Sequence, residues 1–156
     1  MAIAETPSDW KNKALSMIQN DDEIMSLLDM TPEEADDPMY VRLFPYNHIP
    51  ETIEETKVYI TVQVSIPRIM WGRIWANPRM TIRVISHQDK MKLTEPGISA
   101  TRIDYIAELI IKMFQGIKGF GGGTLELATN YEDLYNYLFH YRELVFVGEE
   151  VTKDCS

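Results

Sequence analysis

Two segments in the middle of the chain alternate apolar and polar residues with a period of two. Lys57 to Ile66 reads KVYITVQVSI, in which every second residue from Val58 is Val or Ile, and Asn77 to His87 reads NPRMTIRVISH with Met80 as the first residue of a similar series. Strict alternation is typical of strands with one buried face. We predict that the two segments pair as an antiparallel hairpin with one buried and one half-polar face.

The N-terminal part shows helical spacing instead. Trp10, Ala14 and Ile18 fall on one face of a helix predicted from about Asp9 to Asn20, with Ser8 before it as the cap. A second short helix is predicted to start at Asp21 or Asp22, with Ile24, Leu27 and Leu28 as its apolar stripe. Residues 31–38 contain two prolines and four acids, and we expect them to form an exposed connection.

The clearest helix lies between Thr94 and Gly116. Thr101 is suited to be its N-cap, and Gly116 follows where a C-terminal glycine is common. Its apolar residues recur at helical spacing, so we expect this helix to lie across the sheet. Asp104 and Glu108 are one turn apart and are predicted to be solvated.

The stretch IKGFGGGTL, residues 117–125, holds four of the eight glycines. A phosphate-binding loop needs a strand before its glycines and a helix after them, and here the predicted order is the reverse. We interpret the stretch as a flexible helix-to-strand connection. Residues 124–128 and 142–148 are predicted strands, whereas the aromatic residues 131–141 fit either a helical turn or a strand. Residues 40–55 are predicted to be irregular around Pro45 and Pro50, with a short strand at 40–44.

The connection between the two alternating segments, RIMWGRIWA at residues 68–76, is too long for a tight turn and too hydrophobic for an ordinary loop. Trp, Met and Arg are enriched at the energetic centres of protein interfaces. We therefore predict that this arm is a partner interface; the alternative is that it folds back and its tryptophans complete the core. The predicted interface residues are Arg68, Met70, Trp71, Arg73 and Trp75.

Together these elements predict an α+β fold in a single domain of residues 1–156. A small antiparallel or mixed sheet with a long hairpin arm would pack against one long helix and the N-terminal helices. Within the domain we distinguish an acidic, helical or irregular part (1–56), an α/β core (57–150) and a flexible tail (151–156).

The composition is that of an ordinary globular protein, with 45% hydrophobic and 25% charged residues. The single Cys155 suits a reducing compartment, and we expect no membrane span and no signal peptide. The net charge of −9 argues against a surface that grips nucleic acid. Residues 1–56 hold 13 acids and 3 bases, residues 57–118 hold 4 and 10, and residues 119–156 hold 7 and 2. These charges either average out over the surface or meet across a subunit boundary.

Motifs for metal binding or nucleophilic catalysis are missing from the sequence, which contains no CxxC, HExxH or GxSxG pattern. His48, His87 and His140 lie in different segments. We therefore predict no catalytic residue, no cofactor, no bound metal and no enzymatic activity. The weaker alternative is a hydrolase that uses the polar strand end Ser86 to Lys90.

Four segments carry a resemblance to a known family: KVYITVQVSI, IRVISHQDKM, RIDYIAELIIKMF and YRELVFVGEE. In this order, with the arm and the glycine connection between them, they resemble the tail terminator proteins of long-tailed bacteriophages, also called head-tail joining or tail completion proteins. The likeness covers roughly residues 57–150 and includes no signature motif.

The resemblance implies a structural protein of the virion tail or neck, assembled in the host cytoplasm. Such proteins form rings, usually hexamers, that cap the tail tube and dock it to the head connector. The implied partners are copies of the chain itself, the major tail tube protein and a head completion or connector protein, with DNA passing through the lumen without specific binding. Alternatives are another neck component, such as a stopper, an adaptor or a minor tail protein, and a non-viral adaptor module that binds proteins.

Overall fold

The computed structural model describes residues 6–48, 56–66, 68–70, 74–76, 78–120, 123–148 and 151–152. The helices in these residues are α1 (Pro7–Gln19), α2 (Asp22–Leu27), α3 (Pro32–Asp36) and α4 (Arg102–Phe114). The strands are β1 (Leu43–Phe44), β2 (Val58–Ser65), β3 (Arg68–Met70), β4 (Ile74–Ala76), β5 (Arg79–His87), β6 (Lys118–Phe120), β7 (Gly123–Thr124), β8 (Glu126–Leu134), β9 (Phe139–Val147) and β10 (Val151–Thr152). The predicted α+β class is confirmed.

The main sheet has five strands in the order β1-β2-β5-β9-β8. The predicted antiparallel pairing of β2 with β5 is confirmed and runs from Val58 opposite Ser86 to Ser65 opposite Arg79. Strand β1 pairs with β2 in parallel, and β8 and β9 complete the sheet as an antiparallel hairpin. The sheet is therefore mixed, with the two-residue β1 at one edge and the nine-residue β8 at the other.

Helix α1 begins two residues earlier than predicted because its cap is Thr6 and not Ser8. The Thr6 side chain accepts a hydrogen bond from the Asp9 backbone N–H, and the Asp9 carboxylate accepts one from the Thr6 N–H. This reciprocal pair satisfies two amides that the first turn leaves without helical partners. Helix α4 starts at the predicted cap Thr101, and Gly116 follows its end with φ of 74°.

The core lies between the helices and one face of the sheet. Trp10, Ala14 and Ile18 of α1, Ile106 and Ile110 of α4, and the alternating aliphatic residues of β2 and β5 are fully or nearly fully buried there. Burial of such side chains stabilises the fold by roughly 25 cal/mol per Å² of apolar area. The two best amphipathic helices of the sequence therefore cover the same face of the sheet.

The opposite face of the sheet departs from the half-polar surface that the alternation predicts. Tyr59 and Ile85 are buried there in a second cluster with Phe44 and Phe139, and Thr61 is fully buried beside them. Strand β1, His48 after it and the β8–β9 hairpin bring the covering side chains. This half of β2 is thus buried on both faces.

Two segments adopt structures that the sequence interpretation missed or left open. Residues 32–36, predicted as an exposed connection, form the short helix α3, in which Thr31 and Glu34 make a capping box around Pro32. Residues 131–141 belong to the β8–β9 hairpin, so the strand alternative is correct. The Asn136 side chain accepts hydrogen bonds from the Leu138 and Phe139 N–H groups and thereby closes the turn.

Candidate interaction surface

The arm forms a three-stranded sheet separate from the main sheet. Strands β3 and β4 form the predicted hairpin, with Arg68 opposite Ala76 and Met70 opposite Ile74, and β10 pairs with the other side of β4. The arm strands lie in the order β3-β4-β10. This order matches β2-β5-β9 in the main sheet, because β3 follows β2, β4 precedes β5 and β10 follows β9 in the chain. Val151 and Thr152, from the segment predicted as a flexible tail, are thus the third strand of the arm.

The predicted interface residues fall on this arm to different extents. Arg68 and Met70 are the first and last residues of β3, and Trp75 is the middle residue of β4, opposite Ile69 and Val151. Trp71 and Arg73 lie outside the described residues. The choice between an interface and a contribution to the core therefore remains a prediction for these five residues.

The base of the arm is built around Gly148, which follows β9. Its N–H donates to the Pro78 carbonyl over 2.9 Å, and a Cβ at this position would lie 2.8 Å from Cη2 of Trp10. The Trp10 ring is fully buried and packs edge-to-face on Phe120 with 5.5 Å between ring centroids. Helix α1 therefore holds the start of the arm through an indole ring that requires a glycine beside it.

The β8 edge is the longest exposed strand surface of the described fold. Every residue of β8 except Leu127 is exposed, and Tyr131 and Leu134 are large apolar side chains about half exposed. Strand β9 is the one strand that pairs with β8 among the described residues. Beyond a bulge between Leu127 and Thr129, residues 129–134 pair regularly with β9. The other side of the strand thus presents backbone hydrogen-bonding groups to the surroundings.

An arginine on β9 joins α4 to the β8–β9 hairpin. Arg142 donates to Asp104 of α4 over 2.9 Å, to Asn130 over 2.7 Å and to Glu132 over 3.3 Å. The prediction that Asp104 lies on a solvated helix face without a basic partner is therefore wrong. The two partners are 38 residues apart in sequence, and the strand register that joins them could not be read from the spacing along α4. A shallow cavity of about 230 Å³ lies over this pair.

A second charged pair stands on the opposite face of the sheet. Arg83 of β5 and Glu143 of β9 are direct cross-strand neighbours, with 2.7 Å between Nε and the carboxylate. The Tyr135 hydroxyl accepts from Arg83 and donates to the Asn47 side chain. Burial raises the pKa of the Tyr135 hydroxyl, and the Arg83 guanidinium offsets part of that rise. These bonds tie the β8–β9 turn to the segment that follows β1, so they serve the fold.

The histidines occupy separate packing positions. His48 stacks on Phe44 with parallel rings 4.0 Å apart, and His87 is 3% exposed and packs edge-to-face on Phe139. The Asp89 N–H donates to Nδ1 of His87, which caps the 3-10 turn after β5. The polar strand end Ser86 to Lys90 is thus a capped turn over a core histidine. In the described part of the chain, no group of three or more His, Cys, Asp or Glu residues is placed to hold a metal ion.

None of the described helices has the length and apolar character that crossing a membrane requires. A search of the curated proteins finds no match. The family model of YomW matches residues 12–147, which spans α1 to β9, so the chain belongs to the YomW family, a phage-derived family of the SPbeta-like prophage type.

Proposed function

We propose that the chain is a structural virion subunit that assembles into a ring, caps the tail tube and joins the tail to the head connector. The ring is a hexamer, and its lumen lets DNA pass. The subunit works by presenting surfaces to copies of itself, to the tail tube protein and to the head connector, and it has no catalytic role. Membership of a phage-derived family supports a role in a phage particle.

The observation that carries the proposal is that the main sheet and the arm each end in a strand with one unpaired edge. The main sheet ends in the exposed β8, and the arm ends in β3 on one side, with no further strand paired to either among the described residues. A ring needs a heterologous contact, in which one patch on each subunit meets a different patch on the next. Two distinct strand edges on one subunit satisfy that requirement.

The charge of the chain supports passage of DNA through the ring. A net charge of −9 gives an assembled ring a strongly negative field. An acidic lumen repels the phosphate backbone, whereas a basic lining would bind it and stop the genome. We therefore expect DNA to pass through the lumen of the ring without specific binding.

Deletion of the gene from a phage or prophage that carries it tests the proposal. Electron microscopy of induced lysates should show DNA-filled heads and separate tails of irregular length, and a plasmid copy of the wild-type gene should restore joined particles. Joined virions with tails of normal length would contradict the proposal. Tails of normal length beside heads that have lost their DNA would instead assign the chain to another neck component and overturn the terminator role.

A further inference from the structure

We infer that the β8 edge of one copy of this chain is the docking site for arm strand β3 of the next copy, which joins neighbouring sheets by antiparallel or parallel strand addition. The inference rests on the proposed ring function and names the contact that builds the ring. Main-chain hydrogen bonds would supply the affinity, and the side chains that flank them would select the partner.

The form of β8 suits strand addition. Exposed edges in monomeric proteins are usually shortened, covered, or protected by lysine or proline. Strand β8 has nine residues, with neither lysine nor proline among them. The Leu127 N–H donates to the Gln115 side chain, and the regular stretch beyond the bulge, residues 129–134, is about 20 Å long at roughly 3.3 Å per residue. The opposite edge of the sheet, in contrast, is the two-residue β1. The structure therefore protects one edge of the sheet and leaves the other open.

Charge excludes a second β8 as the occupant. Strand β8 contains Glu126, Glu132 and Asp133 and no basic residue. Two copies pairing through β8 would bring six carboxylates to one strand pair, where like charges are destabilising. One of the three, Glu132, is partly neutralised by Arg142 within the same chain. The remaining excess of negative charge selects a basic strand.

The arm provides a strand of the opposite charge. Strand β3 begins with Arg68, continues with Ile69 and Met70, and carries no acid. It belongs to residues 57–118, the segment with 10 bases and 4 acids. The other arm edge, β10, follows β9 in the acidic C-terminal segment and is a poorer match. Apolar residues of β3 would also meet the exposed Tyr131 and Leu134 of β8.

Complementation between two variants tests this contact. The arm variant carries Arg68→Glu and keeps its β8 edge. The edge variant carries Glu126→Lys and Thr129→Lys, because lysine on an edge strand opposes strand addition and the exchange also removes a carboxylate. A matched control, Glu95→Lys with Ser99→Lys, makes the same charge change at two exposed residues far from both strands in the sequence. Circular dichroism and thermal melting verify that each variant is folded.

Sedimentation velocity then separates the outcomes. We expect the wild type and the control to form assemblies larger than a dimer, and each test variant alone to associate on the order of tenfold more weakly. An equal mixture of the arm and edge variants should associate at concentrations where neither variant alone does, because one intact arm then meets one intact edge. A test variant that alone associates as tightly as the wild type, or a mixture that associates no more tightly than either variant alone, would overturn the inference.

The result is separable from the ring function itself. If the variants assemble as the wild type does while gene deletion still produces unjoined heads and tails, the ring exists and uses another contact. If deletion leaves virions intact while the mixture forms dimers, the contact exists and serves a different assembly. A wild type that stays monomeric up to about millimolar concentration would also overturn the inference, because pairing of β3 with β8 between two copies should give at least weak association.

Discussion

At the residue scale, the strongest electrostatic feature is a buried arginine that organises the N-terminal third. Arg42 is 3% exposed and donates to the backbone carbonyls of Leu28, Asp29 and Val58. Its guanidinium also makes a two-bond contact with the Glu34 carboxylate, over 2.8 and 3.0 Å. Planar guanidinium donors match a carboxylate in this geometry. Helix α3 therefore places the Glu34 carboxylate beside the buried Arg42 guanidinium.

The Glu34 carboxylate makes the stability of the protein depend on pH. Hydrogen bonding from Arg42 lowers the pKa of Glu34 from 4.5 to about 2. Because the folded-state pKa lies below the unfolded value, the stabilisation is complete above pH 4.5 and is lost as the pH falls toward 2. At about 1.4 kcal/mol per pKa unit, the pair contributes at most about 3 to 4 kcal/mol.

Replacing Glu34 with Gln removes this contribution. We expect Glu34→Gln to lower the free energy of unfolding near pH 6, and the difference from the wild type to shrink as the pH falls through the range between 4.5 and 2. Urea unfolding at a series of pH values measures this. Glu33→Gln on the exposed side of the same helix is the control and should differ little from the wild type near pH 6. A Glu34→Gln difference that is constant with pH would contradict the assigned pairing.

At the element scale, the attachment of the arm depends on packing between α1 and the residue after β9. Gly148→Ala would place a Cβ 2.8 Å from Trp10, whose ring is held by Phe120 and cannot move without opening the core. Overpacking of a core contact costs about 1–3 kcal/mol. We expect chemical denaturation to show a loss of that size.

A double-mutant cycle verifies the cause. Trp10→Phe removes the outer ring that contacts Gly148, so Gly148→Ala should cost clearly less in the Trp10→Phe background than in the wild type. Equal costs in the two backgrounds would show that the alanine acts on the backbone and that the indole contact is irrelevant. The cycle also corrects for the stability that Trp10→Phe itself removes.

The elements differ in how far the sequence predicts them. The spacing of apolar residues was sufficient to predict β2, β5, α1 and α4, because each of these elements buries one regular face against the core. The same pattern failed for the second face of β2, since Tyr59 and Thr61 are covered by segments distant in sequence. Helix α3 had a local signal, which was Thr31 and Glu34 at capping-box spacing. The two prolines and four acids of residues 31–38 favoured a connection instead.

The candidate surface was predicted only in part, because local sequence features indicate the arm and do not indicate the β8 edge. The arm stands out because hydrophobic residues occupy a connection, which is a local property of residues 68–76. The β8 edge does not stand out, because its exposure depends on the strand order of the sheet and on the absence of a sixth strand beside β8 in the described part of the chain, both of which are long-range properties. Asn136, whose side chain closes the β8–β9 turn, was a local turn signal that the sequence interpretation did not use when it left residues 131–141 open.

At the scale of the whole molecule, the segment charges become a property of assembly. Acidic residues dominate both ends of the chain and basic residues dominate its middle, with 10 bases and 4 acids in residues 57–118. Within one subunit, part of this asymmetry is compensated by contacts such as Lys90 with Asp29 and Arg83 with Glu143. Glu126, which is exposed on β8, and Arg68 of β3 belong to segments of opposite charge. Complementary charge of this kind fixes the register and the partner more than it adds affinity.

Self-association should accordingly weaken with salt. Exposed charges are screened over about 10 Å at 0.1 M ionic strength and over about 3 Å at 1 M, so we expect the dissociation constant of the wild type to rise on the order of tenfold between low and high salt. Sedimentation velocity at matched protein concentrations measures the change, and circular dichroism at each salt concentration verifies that the subunit stays folded. The edge variant, which lacks Glu126 and gains two lysines, should show a smaller dependence. Association that is unchanged or stronger at high salt would mean that apolar contacts alone hold the copies together, and charge would then have no part in selecting the arm.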